Sequence, residues 1–309
     1  MTIPNLPTIP PDAHKYSRGS LLVLGGSARF PGAAILAAQA GSLTGAGYVT
    51  LVVPASVVPV AQAHLRSIPV LGAKEADGTL VANGAPVTKG VFAADGLPEI
   101  LKHVKHIDAV VLGCGLTITP STIAFAESVR TWADQAGIPL LIDADALQAL
   151  HSSSAPSSAS ASTPASAPAS PSTPAPAPVV LSPRLVLTPH AGEIARLYAS
   201  TKTDSPETLA QHLNAVVVAK GPVTCITDGV RVKYCDEGTP ALAKAGTGDV
   251  LSGIIGSLLA QGMEPFEAAW AGVVIHARAG CLAEKNYGTR SVIAEHLLET
   301  IPAVCAKIE

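Results

Sequence analysis

Ala245-Gly246-Thr247-Gly248-Asp249 is followed at once by an apolar run, Val250, Leu251, Ile254, Ile255, Leu258 and Leu259, that repeats at helical spacing until Gly262. Small residues at a helix start let an anion approach the main chain, several N–H groups point the same way, and the helix dipole adds partial positive charge. A carboxylate at that place, Asp249, can accept the proton of a hydroxyl as the hydroxyl attacks phosphorus. The competing reading is an ordinary helix N-terminus with an Asp in its first turn.

Other chemistry-bearing stretches sit at strand ends. Lys220-Gly221-Pro222-Val223-Thr224 follows a strand and could meet a nucleotide phosphate or ribose; Lys220 as a solvated strand-end charge is the alternative. Thr188-Pro189-His190-Ala191-Gly192-Glu193 also ends a strand, where open α/β sheets bind ligands. His190 could hydrogen-bond a polar ligand, or it could be structural, with Thr188 and Glu193 fixing the turn. Asp143 and Asp145 could hold a metal through water or cap the next helix, and capping is expected of one of them. Gly25-Gly26-Ser27 and Gly113-Cys114-Gly115 permit close approach to the backbone, yet neither matches a dinucleotide fingerprint or a P-loop.

The elements that must position these groups alternate as short apolar runs and longer segments of helical period, the pattern of a parallel sheet covered by helices. Strands are expected at Leu21 to Leu24, Tyr48 to Val53, Ala109 to Leu112, Leu140 to Asp143, Leu185 to Leu187 and Ala215 to Ala219. An alanine-rich helix, Ala33 to Leu43, ended by Gly45 and Gly47, makes the first crossover. Val223 to Thr227 and Arg231 to Cys235 flank Asp228-Gly229, so an antiparallel edge with a tight turn is expected. A last alanine-rich helix runs from Pro265 to about Glu284. Ser152 to Pro178 is almost entirely Ser, Ala, Pro and Thr and cannot bury enough apolar area to order itself. It reads as a disordered surface loop within one domain over 1–309, because the half after it has too few strands for its own sheet.

Composition narrows the function. The chain of 309 residues is 48% hydrophobic, enough for a sizeable core, and its formal net charge of -3 offers no basic field for nucleic acid. At 4% aromatic residues there is little to stack bases upon. No signal peptide or membrane span is apparent, and a cytoplasmic location is the expectation. The five cysteines, Cys114, Cys225, Cys235, Cys281 and Cys305, lack CxxC spacing and read as free thiols.

In this order the segments resemble the ADP-dependent NAD(P)H-hydrate dehydratases of the ribokinase-like superfamily. The resemblance is carried by Leu22-Val23-Leu24-Gly25-Gly26-Ser27 with Pro31-Gly32-Ala33-Ala34, by Gly45-Ala46-Gly47, by Asp143-Ala144-Asp145-Ala146-Leu147, by Thr188 to Glu193 and by Ala245 to Leu251. It implies a three-layer α/β/α sandwich with a mostly parallel central sheet. It also implies phosphorylation of the hydroxyl on the hydrated nicotinamide ring of NADH or NADPH by ADP, then loss of phosphate, leaving AMP. By this resemblance Asp249 matches the base, and the amides of Gly246, Thr247 and Gly248 match the anion hole; Ala33, Gly115 and His190 match contacts to the hydrated cofactor; Lys220, Gly221, Pro222, Val223 and Thr224, with Gly248, match the adenine-nucleotide side. Mg2+ would bridge the phosphates, although the sequence assigns it no ligands. A homo-oligomer, with a tetramer as the candidate assembly, is the family expectation.

Two departures mark the chain: Tyr16 after His14-Lys15, where the family often has Gly, and Gly113-Cys114-Gly115-Leu116-Thr117 in place of Gly-Pro-Gly-Leu-Gly. With so little chain before His14, no separate epimerase domain is expected upstream. Two rival functions remain at this stage. An ATP-dependent kinase of a vitamin-type alcohol would use Asp249 and its glycines equally, but the Ala33 and His190 segments favour the dehydratase. A non-catalytic nucleotide-binding regulator would have no need of Asp249.

Overall fold

The computed structural model describes residues 4–76, 80–82, 85–87, 89–150 and 183–308. The Ser152 to Pro178 segment therefore lies outside the described residues. The strands are β1 (Ser20–Leu24), β2 (Tyr48–Pro54), β3 (Val70–Ala73), β4 (Leu80–Ala82), β5 (Ala85–Val87), β6 (Ala109–Leu112), β7 (Leu140–Ile142), β8 (Leu185–Leu187), β9 (Ala215–Ala219), β10 (Thr224–Thr227) and β11 (Val232–Cys235). The helices are α1 (Pro31–Leu43), α2 (Val58–His64), α3 (Leu97–His103), α4 (Pro120–Ala136), α5 (Ala191–Thr201), α6 (Pro206–Leu213), α7 (Thr247–Ala260), α8 (Pro265–Tyr287) and α9 (Ala294–Cys305).

Among the described residues, nine strands form one sheet in the order β11-β10-β9-β8-β7-β6-β1-β2-β3. From β9 to β3 every pairing is parallel, and β10 and β11 add an antiparallel edge. Successive side chains along each strand serve opposite cores. Leu21 and Val23, Val111, Leu141, Val216 and Val218 pack with α1, α7, α8 and α9, whereas Leu22 and Leu24, Val110 and Leu112, Ile142 and Val217 pack with α3, α4 and α6. Burial on both faces is why the strands read as unbroken apolar runs. Helices on both sides of the sheet make the expected three-layer sandwich.

All six expected parallel strands are present. The hairpin differs in its turn: Thr227 pairs with Val232, leaving a four-residue loop, Asp228 to Arg231, in which only Gly229 has positive φ. The Asp228 carboxylate closes the loop by accepting from the N–H groups of Val230 and Arg231 at 2.9 and 2.6 Å. Sequence periodicity missed β3, a four-residue edge strand containing Gly72, and the short β4–β5 pair. It also passed over α4, although Thr119 caps it in a capping box and Gly137 ends it in the left-handed conformation. No helix among the described residues is long and apolar enough to cross a membrane.

The contact that fixes the site is α1 against α7. Their facing residues are small: Ala37, Ala40 and Gly41 on α1, and Gly253 on α7. A Cβ at Gly253 would lie 2.1 Å from the Ala37 carbonyl oxygen and 2.8 Å from the Ala40 Cβ. A backbone atom cannot turn aside, so the helices would have to part. Gly253→Ala gains about 1 kcal/mol of helix propensity but is expected to lose more to overpacking, for a net destabilisation of about 1–2 kcal/mol. A lower urea midpoint at unchanged slope is the expected readout; a midpoint equal to or above that of the unaltered protein would show that the helices can separate without cost.

Candidate active site

The parallel strands end along one rim of the sheet: Gly25 and Gly26 follow β1, Gly113 follows β6, Asp143 follows β7, Thr188 follows β8, and Lys220 follows β9. The two glycine turns are in contact with each other. The Gly26 N–H donates to the Cys114 carbonyl at 2.7 Å, and a Cβ at Gly25 would stand 2.6 Å from that oxygen. At Gly113, φ is 127° and a Cβ would sit 1.9 Å from the Asp143 carbonyl oxygen, so only glycine allows β6 and β7 to turn this close together. Ala33 and Gly115 also meet, since a Cβ on Gly115 would lie 2.9 Å from that of Ala33. Thr117, where the resemblance leads one to expect glycine, keeps a left-handed φ of 64°. Its N–H donates to Asp145 Oδ2 at 2.8 Å, and its hydroxyl meets that of Ser27 at 2.8 Å.

Behind the rim lies a charged network. Asp143, 2% exposed, accepts from Lys220 Nζ on Oδ1 at 2.9 Å and from Ser252 Oγ on Oδ2 at 2.7 Å. Neither alternative reading of these residues holds: Asp143 does not cap a helix with its carboxylate, Asp145 holds Thr117 instead, and Lys220 is not a solvated charge. Although burial disfavours the Lys220 ammonium, the Asp143 charge and hydrogen bond outweigh it and raise its pKa. Lys220 Nζ would be 3.4 Å from a Cβ on Gly248, so the network reaches the start of α7. Ser252 escaped sequence reading because it is one hydroxyl in an apolar helix; a polar residue at a fully buried position was the signal.

Asp249 completes the cluster. One ligand atom from each of Cys114, Asp143 and Asp249 lies within 4.8 Å of the others. Burial pushes the Asp249 pKa up to about 6, and the negative Asp143 adds to the rise; the Cys114 thiol, hydrogen-bonded to Asp249, and the Lys220 charge oppose it. Burial, then the two carboxylates, raise Cys114 well above the thiol range. The thiol is thereby a donor to Asp249, and two of the three groups that converge here are hard carboxylate oxygens. A hard divalent cation that keeps water and phosphate ligands suits the carboxylate floor better. Asp145 is half-buried there with one oxygen on Thr117 N–H, and Asp143 could reach such an ion through water.

The α7 N-terminus has no side-chain cap, and its N-cap, Gly246, has φ 91°. First-turn N–H groups have no intrahelical acceptor, so those of Gly248 and Asp249 are free to meet an anion. Thr247 is partly diverted: its hydroxyl donates to the carbonyls of Leu242 and Lys244, each at 2.8 Å, and its N–H to Lys244 O at 3.4 Å. His190 is exposed at the rim and caps α5, with Nδ1 accepting from Gly192 N–H at 3.0 Å. It is also bridged to Lys220, whose N–H donates to Pro189 O at 2.9 Å. Gly221, Pro222 and Val223 are exposed beyond Lys220, and Thr224 donates its hydroxyl to Gly221 O at 3.2 Å. All five cysteines are free thiols.

A three-layer sandwich with strand ends gathered at one rim, beside an uncapped helix that carries a buried carboxylate, is the fold of ribokinase-like proteins. The backbone superposes with TM-score 0.74 on a ribokinase-like superfamily protein of Enterococcus faecalis, at 20% identity over 98% of this chain and 92% of that one. The ADP/ATP-dependent NAD(P)H-hydrate dehydratase of Bacillus subtilis, co-crystallised with ATP and Mg2+, superposes with TM-score 0.71 at 24% identity, covering 99% and 95%. The NAD(P)H-hydrate dehydratase family model matches residues 21–167 and 176–303, and the chain belongs to that family. It is 31% identical to the ADP-dependent (S)-NAD(P)H-hydrate dehydratase of Xanthomonas campestris pv. campestris, over 96% of this chain and 92% of the relative. It is 33% identical to the bifunctional NAD(P)H-hydrate repair enzyme Nnr of Salinibacter ruber, over 97% of this chain and 51% of that protein. The chain thus spans about half the length of the bifunctional relatives it matches.

The raised Asp249 pKa has a consequence for stability. The folded chain holds a proton on this carboxyl between about pH 4 and pH 6 that the unfolded chain has already released, so stability falls as pH rises through that window. Asp249→Asn removes the penalty. Above about pH 7 this variant is expected to be more stable than the unaltered protein by about 1–3 kcal/mol, and the gain should fade toward pH 4. Denaturant titrations at the two pH values check this; a difference independent of pH would refute the assignment of the strain to the Asp249 charge.

Proposed function

We propose that the chain catalyses the ADP-dependent dehydration of the S-epimer of hydrated NADH or NADPH, regenerating NAD(P)H and releasing AMP and phosphate. The observation that carries this reading is the buried Asp249 carboxylate beside an uncapped helix start and Lys220, in a chain 31% identical to an ADP-dependent (S)-NAD(P)H-hydrate dehydratase.

Asp249 takes the proton of the ring hydroxyl as its oxygen attacks the terminal phosphorus of ADP. The bond between that phosphorus and the bridging oxygen breaks, and AMP leaves. The N–H groups of Gly246, Thr247 and Gly248 at the start of α7, joined by that of Asp249, receive the charge on the transferring phosphoryl group, and those of Gly248 and Asp249 are the least encumbered. The second step breaks the carbon–oxygen bond: phosphate departs where hydroxide could not, helped by the ring nitrogen's electron pair, and the neighbouring ring carbon then gives up a proton to the departing phosphate or to water, so that the ring double bond forms. Ala33, Gly115 and His190 line the side that receives the hydrated ring; Lys220, Gly221, Pro222, Val223 and Thr224, with Gly248, receive the nucleotide. Mg2+ bound to the phosphates, and held by Asp145 and through water by Asp143, would supply charge neutralisation.

We read residues 1–309 as one catalytic domain; the family model matches residues 21–167 and 176–303. A homo-oligomer in the cytoplasm is the assembly and location we propose, on the family resemblance.

Purified protein mixed with freshly prepared NADH hydrate, magnesium and either ADP or ATP is expected to restore the near-ultraviolet absorbance of dihydronicotinamide, and the nucleotide that supports the rise is the donor. Asp249→Ala should lower kcat by about 100- to 10,000-fold, and kcat/KM of the unaltered protein should decline below about pH 6 as Asp249 is protonated. Absence of any rise with either nucleotide, from folded protein that binds adenylate, would turn attention to the alcohol-kinase reading. Full activity in Asp249→Ala would sink the mechanism.

A further inference from the structure

His276 stands in the middle of α8 among Val273, Val274, Ile275 and Ala277, a stretch otherwise committed to the core. Its Nε2 lies 2.8 Å from the Thr247 carbonyl oxygen. A carbonyl can only accept, so Nε2 carries the hydrogen and donates it. Burial, with a smaller contribution from the Lys220 charge, pushes the His276 pKa down to about 4, so the ring is neutral wherever Asp249 is ionised.

The peptide that accepts this bond is the one whose nitrogen belongs to Gly248. A trans peptide is a rigid plane with C=O and N–H directed oppositely, so a donor holding the Thr247 oxygen also sets the direction of the Gly248 N–H. This matters most in the first turn, where that N–H has no acceptor of its own and the N-cap contributes no side chain. Thr247 and Gly248 lie in the first turn of α7, so the helix sets this plane approximately and His276 adds a donor to the carbonyl that pins it. A hydrogen bond to the carbonyl also polarises the peptide and strengthens its N–H as a donor.

We propose that His276 is a positioning residue that aims the Gly248 N–H into the phosphate hole at the start of α7. It touches no substrate and acts through the Thr247 peptide. The inference rests on the reading of α7 as a phosphoryl-binding helix, and it assigns a task to a residue that sequence periodicity placed in an ordinary alanine-rich helix.

His276→Leu keeps the apolar volume and deletes the donor; His276→Gln restores an N–H near the place of Nε2. With hydrated NADH and ADP, His276→Leu is expected to lose about 10- to 100-fold in kcat, less than deletion of a hole donor, with KM for ADP within about threefold. His276→Gln should recover most of kcat. A packing role would instead lower the melting temperature and activity in both variants together, and that outcome, or full activity in His276→Leu, overturns the proposal. If His276→Leu does not fold, His276→Asn, whose shorter side chain reaches only the place of Nδ1, supplies the donor-deletion arm. A second readout separates this proposal from the activity itself: binding of inorganic phosphate, followed by the amide NMR signal of Gly248. If the unaltered protein fails to dehydrate any hydrated dinucleotide yet moves this signal on adding phosphate, with the movement lost in His276→Leu and restored in His276→Gln, the positioning role stands and the proposed substrate falls. No movement in the unaltered protein overturns the positioning role.

Discussion

The Asp143–Lys220 ion pair joins the ends of two strands and, through Ser252, the helix that carries Asp249. Two charges taken out of water are tolerated when their remaining hydrogen-bonding capacity is filled, and removal of one partner from such a pair typically costs about 3–5 kcal/mol. Here both Asp143 oxygens are occupied. The pair therefore holds β7, β9 and α7 at one separation, and it does so at the point where a nucleotide phosphate would bring additional negative charge. Lys220 is kept protonated by the same neighbour that raises the pKa of Asp249. One carboxylate thus sustains the charge on the cation and adds to the rise that burial gives the candidate base.

Close approach is the second requirement, and glycine meets it. At Gly113 the chain passes so near the Asp143 carbonyl that no side chain would fit, and at Gly253 the backbones of α1 and α7 come together. These two positions set where Cys114 and Asp249 can meet. Cys114 in turn does what a proline there could not do, since its thiol donates to the Asp249 carboxylate. Thr117 holds a conformation suited to glycine because Asp145 and Ser27 fix it from both sides.

The site is strained in the manner of many catalytic centres. An uncapped helix start and a buried carboxylate with a raised pKa each cost stability, and the sandwich around them supplies the surplus. Both features leave groups available: N–H donors without acceptors and a candidate base whose pKa is pushed up to about 6.

Much of the fold was written in local sequence. Apolar runs bounded by Gly, Asp or Pro located the six parallel strands, because strands buried on both faces need continuous hydrophobicity. The same local logic marked Asp249 and its glycines, whose spacing is a property of consecutive residues. Periodicity passed over the short edge strand Val70–Ala73 and the four-residue hairpin turn, since neither is long enough to show a repeat. The Asp143–Lys220–Ser252 network, the Cys114–Asp249 contact and the His276–Thr247 bond link residues far apart in the chain, and only the packed sheet and helices decide which of them meet. Amino-acid type and local spacing by themselves marked Asp249, Lys220, Asp143 and His190 as candidates; tertiary structure decided their partners, protonation and direction and added Ser252 and His276, because burial and distance do not exist until the chain has folded.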